Sequence, residues 1–244
     1  MRRRLQREVW EALGRDDGDW AVLTVPERRQ GGWAENLEAF YASGVEEIAE
    51  CLKLAEPRAF ARALDYGAGT GRLSQALAGK FDAVTSLDVS AAMLETLRER
   101  AGDRGLANIS ASLVDDFVPG GDHDFAVSLL VLQHLPTRAA VAEAVALIAE
   151  SLRPGGVAVL EIPERALLFR AKVQPRFRLY SVLRMLGFSP GKLHQLGFSG
   201  ISMLTVDEPR AVAMFSDCGL EVLGRTLRVD PDYSYIRWAV RKAG

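Results

Sequence analysis

The sequence predicts an α/β fold, a three-layer sandwich with helices on both faces of a mostly parallel sheet. Three observations carry that prediction. From about residue 60, short apolar runs alternate with helix-period segments, as βαβ units require. The first apolar run ends in a glycine cluster, LDYGAGTGRL at 64–73, so the chain turns sharply from strand to helix. Two closing runs, 220–229 and 233–241, flank Asp230-Pro231-Asp232 and read as a pair. They complete a seven-stranded sheet with an antiparallel final strand.

The elements follow in order. Residues 59–66 form the first strand, and 70–78 a helix with Leu73, Ala76 and Leu77 on one face and Gly79 closing it. The second strand covers 84–88. Ser90 caps the next helix, which turns Met93, Leu94 and Leu97 inward. Residues 109–114 and 125–132 are the third and fourth strands. Pro136 suits a first helical turn, and Val141, Val145, Ile148 and Leu152 make the stripe of a helix over 137–152. Arg153-Pro154-Gly155-Gly156 is a turn before a fifth strand at 157–162. Upstream, 36–54 is an amphipathic helix with Leu37, Phe40, Tyr41, Val45, Ile48 and Leu52 inward. Downstream, 207–219 is a helix capped by Asp207, with Pro209 in its first turn. The organisation expected is a helical cap or lid over 1–57 and a ligand-binding domain over 58–244, with an insert at 164–205 covering the substrate.

Composition bounds the function. The chain has 244 residues, 48% hydrophobic and 25% charged, enough to bury one substantial core. A net charge of -2 argues against nucleic acid as a partner. Cys51 and Cys218, the two cysteines, have no metal-like spacing and read as small hydrophobes in a reducing compartment. No metal site is expected. No apolar run reaches membrane-span length, and the arginine-rich start lacks the apolar stretch of a signal peptide. A cytoplasmic protein without stable membrane association is the expectation.

The glycine segment carries the most information. Glycines at 67, 69 and 71 let the backbone approach a ligand closely. A dinucleotide fingerprint needs glycine at the sixth position from Gly67, where Arg72 stands instead. No Gly-Lys-Ser/Thr follows, so a P-loop is excluded. Asp65 completes the pattern D-x-G-x-G-x-G. Asp65, Asp88 and Asp115 all fall at the carboxyl ends of strands, where open α/β sheets bind ligands. A carboxylate there can accept both hydrogen bonds of a vicinal diol.

With these motifs the chain resembles the class I, Rossmann-like S-adenosylmethionine-dependent methyltransferases over about residues 60–163. DYGAGTG, SLDVS, HDFAVSLLVLQHLP and LRPGGVAVLEIP follow the family's order. The resemblance implies S-adenosylmethionine as cofactor and S-adenosylhomocysteine as product. It assigns Asp65, Gly67, Ala68, Gly69 and Gly71 to the methionine portion and Asp88 to the ribose hydroxyls. Val89 and Leu130 join the cofactor-binding set. Asp115, or Asp116 beside it, is assigned to the adenine amino group. Asp124 begins its strand at the opposite edge and reads as structural.

Methyl transfer from a sulfonium is an in-line displacement in which alignment supplies ~7–11 kcal/mol. A base is needed only where the nucleophile must lose a proton. His134 and His194 are the candidates. For His134 the alternative is packing against the cofactor or capping the following helix, and for His194 a solvated loop. His123 lies on the opposite edge and reads as a surface residue. No Asn/Asp-Pro-Pro-aromatic run follows the fourth strand and no proline precedes a cysteine. A small-molecule methyl acceptor is therefore expected, at oxygen before nitrogen, with sugars and secondary metabolites as candidates. Trp20, Trp33, Phe40 and Tyr41 either line the acceptor pocket or pack the cap. Arg165, Arg170, Lys172, Arg176, Arg178, Arg184 and Lys192 form either an anion-attracting stretch or a solvated helix face. Two other functions share the pattern: a nicotinamide-dependent oxidoreductase, which Arg72 disfavours, and a non-catalytic binding protein.

Overall fold

The computed structural model describes residues 2–24, 28, 32–169, 174–198 and 200–244; Arg170 and Lys172 of the basic stretch lie outside them. The sheet has seven strands: β1 (Arg62–Tyr66), β2 (Ala83–Asp88), β3 (Ile109–Leu113), β4 (His123–Ser128), β5 (Leu152–Ala166), β6 (Leu220–Val229) and β7 (Tyr233–Lys242). Their order is β3-β2-β1-β4-β5-β7-β6. Pairing is parallel from β3 to β5 and antiparallel on both sides of β7. The order reverses between β1 and β4, the switch point beside which ligands of such sheets bind.

Eight helices accompany the sheet in the described residues: α1 (Arg2–Val22), α2 (Leu37–Ala55), α3 (Arg72–Ala78), α4 (Ala91–Asp103), α5 (Arg138–Ser151), α6 (Pro175–Met185), α7 (Pro190–Gln195) and α8 (Glu208–Asp217). Alternation along each strand sorts the core into two layers. Ala63, Phe125, Val127, Val157 and Val159 face Ile48 and Cys51 of α2 and Leu73 and Leu77 of α3. Leu64, Ala126, Ala158 and Leu160 face Val141, Val145 and Ile148 of α5 and Phe215 of α8. The capping residues act as their types require: Ser90 accepts from Met93 N, and Asp207 from Arg210 N.

Several expectations are corrected. The fourth strand ends at Ser128 and not at 132, because Leu130 takes a left-handed φ of 61° and the chain coils into a 3-10 turn at Leu132–His134. Pro136 precedes α5, whose cap is Thr137. The segment 153–156 belongs to β5, with Gly155 at φ 78° and a register break opposite His123. Val45 is 53% exposed, because α2 packs through Gly44 instead. A Cβ there would lie 2.3 Å from the Arg72 carbonyl oxygen, so only glycine lets α2 cross the start of α3. His123 is buried, its ring nitrogens 3.1 Å from the Ser151 carbonyl and 3.0 Å from Thr85 Oγ1. Asp124 does serve structure: its Oδ2 accepts from Ala61 N and Arg62 N.

Candidate cofactor and acceptor cleft

A cleft of about 770 Å³, open mouth included, lies over the glycine turn. Its floor is the turn itself. Gly67 and Gly69 have φ 86° and 53°, in the left-handed region that favours glycine. A Cβ on Gly67 would lie 2.2 Å from Val131 Cγ2, and one on Gly69 2.3 Å from Val22 Cγ2. The backbone is thus left bare toward the cleft. Asp88, at the end of β2, accepts from Gly69 N and Ser90 N, both at 2.9 Å, which aims its carboxylate along the turn. Burial pushes its pKa up from the ordinary aspartate value. Val89, Val114, Leu129 and Leu130 add apolar wall. Leu130 keeps its positive φ here, the kind of backbone strain that collects at ligand sites.

Helix α1 closes the cleft from the amino-terminal side, placing Gln6, Trp10, Ala21 and Val22 in its lining. It is tied down by polar contacts. Glu11 accepts from Ser90 Oγ at 2.9 Å. Asp19, buried beneath a kink at Asp17, accepts from Thr70 Oγ1 at 2.8 Å and from two Arg100 nitrogens at 2.6 and 2.9 Å. Gln6 donates to the His134 carbonyl, and Arg7 pairs with Asp115. Replacing Asp19 with Ala leaves a partly buried guanidinium without its partner, and unfolding in urea should show a loss of about 2 kcal/mol. Unchanged stability would mean that this bridge does not hold α1.

The structure brings Gly67, Ala68, Gly69, Asp88, Val89, Leu130 and His134 together in one lining. It places the other candidates elsewhere. Asp65 lies beneath the turn, 1% exposed, accepting from Ser74 Oγ at 2.6 Å; burial pushes its pKa up to about 6. Gly71 caps α3, packed toward Leu97. Asp115 and Asp116 are exposed; only their neighbour Val114 reaches the lining. His194 is not brought to the cleft: it is buried against Trp20, ring centroids 5.7 Å apart. Trp20, Trp33, Phe40 and Tyr41 share an apolar cluster that adjoins the cleft, and none of the four lines it, so packing is the reading the structure favours.

Trp10 and Gln6 were missed by sequence reasoning. Val9 and Leu13, one helical turn apart and buried, are the signal that could have found α1. Gly14, Gly18 and the acids between them obscure it. Trp10 packs on His134 with centroids 5.3 Å apart. His134 Nδ1 is 2.9 Å from the Ser202 carbonyl oxygen. A carbonyl only accepts, so Nδ1 carries the hydrogen and Nε2 the lone pair, 3.3 Å from Gln133 Nε2. Burial pulls the imidazole down to about 4, so the ring is neutral at physiological pH.

A bare glycine turn, an acid at the next strand end and a switch-point cleft define an α/β domain that binds a nucleoside-bearing cofactor. Residues 63–156, a little over a third of the chain, match the family described as Methyltransferase domain. A trans-aconitate 2-methyltransferase from Deinococcus radiodurans is 36% identical over 108 residues, 43% of this chain. The match spans 39% of that relative's length. Among solved structures, magnesium protoporphyrin IX methyltransferase from Synechocystis PCC 6803, with bound SAH, superposes with a TM-score of 0.66 at 18% identity. It covers 99% of this chain and 100% of that one. A putative sarcosine dimethylglycine methyltransferase from Galdieria sulphuraria gives 0.58 at 17% identity, covering 98% of each chain. At such identities the structures establish the fold. Among the described residues, no helix is long and apolar enough to cross a membrane.

Proposed function

We propose that the protein transfers a methyl group from S-adenosylmethionine to an oxygen atom of a small molecule, with nitrogen as the second choice of nucleophile. The observation that supports this best is the shared lining: the glycine turn and Asp88 meet Trp10 and His134 in one cleft. The turn at Gly67, Ala68 and Gly69 would hold the amino-acid end of the cofactor, with Asp65 and Gly71 setting the turn's shape from beneath. Asp88 would accept from the ribose hydroxyls, and Val89, Val114 and Leu130 would flank the purine. Asp115 would reach the purine amino group only on releasing Arg7, and Asp116 stands beside it. The cofactor, when bound, supplies a methyl group already activated on a sulfonium. The chain's part is alignment and exclusion of water, for which the 1–57 segment serves as the lid and residues 164–205 as the substrate cover.

His134 is a polar group on the acceptor side, its neutral Nε2 suited to accept a hydrogen bond from an acceptor hydroxyl that displaces the 3.3 Å contact with Gln133 Nε2. Its pKa below that of free histidine means that its stabilising effect is present above about pH 6.5 and is lost as the pH falls toward 4. The Cε1–H resonance of His134 should therefore stay fixed from pH 8 to pH 5. An inflection near pH 6.5 that disappears in His134→Gln would show an ionised, solvated ring instead.

Labelled S-adenosylmethionine with panels of hydroxyl, carboxylate and amine acceptors tests the reaction. Sugars and secondary metabolites come first, and trans-aconitate is included for the relative's name. O-methylated product is expected. Product carrying the label on nitrogen or carbon alone overturns the assignment to oxygen. Calorimetric binding of NAD in place of S-adenosylhomocysteine would favour the oxidoreductase reading.

A further inference from the structure

Arg72 is a charged residue whose burial the fold does not explain. It opens α3 directly after the glycine turn, lines the cleft and is 3% exposed. Among the described residues its only hydrogen bond runs from Nη1 to Ser43 Oγ at 3.3 Å, and its Nε is buried with no partner at all. No carboxylate among the described residues stands within 4.0 Å of its guanidinium, although the charges of Glu47, Asp65 and Glu161 act on it from farther away. Burying a guanidinium in this way is costly unless an anion meets it. The cost is borne one residue beyond the turn that approaches the ligand. The other buried arginine among the described residues is paired. Arg237 meets Glu47, Glu50 and Glu161 at 2.9–3.2 Å.

We propose that Arg72 receives a carboxylate in the cleft, and that this carboxylate is the one on the methionine end of the cofactor. The inference rests on S-adenosylmethionine being the ligand of the cleft. Three features of the chain support it. The guanidinium offers a planar donor fork that matches a carboxylate. Asp65, an acid influenced by Arg72 but not paired with it, lies beneath the same turn. Its charge acts on the guanidinium from beneath without taking up the donor fork, which stays open to an anion in the cleft. Finally, Gly44 lets α2 press against the Arg72 backbone and Cγ, so the side chain is held where it stands before any ligand arrives. This preorganisation lowers the ordering cost of binding.

The test uses two ligands that differ only in that carboxylate, S-adenosylmethionine and decarboxylated S-adenosylmethionine, titrated calorimetrically into wild type, Arg72→Lys and Arg72→Met. A charge-assisted bond of this kind corresponds to roughly a ten- to hundred-fold change in Kd. The expectation is that Arg72→Met weakens S-adenosylmethionine by about that factor and leaves the decarboxylated ligand within about twofold, with Arg72→Lys between. Equal loss for both ligands, or loss for neither, overturns the proposal. If neither variant folds, wild-type protein with ¹⁵N-arginine decides. The buried Nε–H resonance should move with S-adenosylmethionine and stay in place with the decarboxylated ligand; the same response to both overturns the assignment. Failure of wild type to bind either ligand would instead refute the cofactor reading on which the inference stands.

Discussion

Gly69→Arg should abolish measurable binding of S-adenosylhomocysteine, raising Kd at least ~100-fold, equivalent to about 3 kcal/mol, while the protein stays folded. The effect is local. Gly69 holds φ 53°, and the Cβ position lies 2.3 Å from Val22 at the end of α1. Any side chain must push α1 outward or reach into the cleft, and an arginine does both. Left-handed φ at a non-glycine residue costs about 1–3 kcal/mol, which a domain of this size tolerates. Far-ultraviolet circular dichroism should match wild type, with a modestly lower Tm. Undiminished binding in a folded variant would remove the turn from the cofactor site.

Asp88→Ala should weaken S-adenosylhomocysteine on the order of 100-fold and also lower stability. The carboxylate has two tasks. It accepts from Gly69 N and Ser90 N within the protein, and its position in the lining suits it to the ribose. Alanine orphans both amides, each worth about 1–3 kcal/mol if water does not replace the bond. Asp88→Asn separates the tasks in part: its carbonyl oxygen still accepts from one amide, but its NH2 faces the other donor. Asn should therefore recover part of the stability and little of the affinity. Calorimetry paired with thermal melts reads both. An affinity within threefold of wild type in either variant would show that Asp88 shapes the turn and does nothing for the ribose.

Much of the fold was legible because it depends on local signals that tertiary context does not reverse. The strands of the parallel core are apolar runs bounded by glycine or polar caps, and Ser90 and Asp207 announce the helices they cap. The errors fall where a distant contact decides. The stripe on α2 turns away from Val45 because Gly44 meets Arg72, a contact between residues far apart in the chain. The fourth strand stops early because Leu130 is held at a positive φ that no propensity foretells. His123 looked like an edge residue and is buried between Ser151 and Thr85.

The candidate site divides in the same way. The glycine turn and Asp88 were readable from the sequence because close backbone approach and a strand-end acid demand particular residue types at set spacings. Which titratable groups reach the cleft was not readable, since that depends on how α1 and the 164–205 segment lie across the sheet edge. His194 pairs with Trp20 outside the cleft, Asp115 is engaged by Arg7, and Trp10 comes inside to meet His134. Sequence alone thus determined the sheet and the turn, both written in short-range pattern, and its resemblance to the methyltransferases implied the class of cofactor. Only the tertiary structure decided which side chains line the cleft opposite the turn, because those residues come from segments remote in sequence and are brought together by packing, which leaves no periodic trace in the chain.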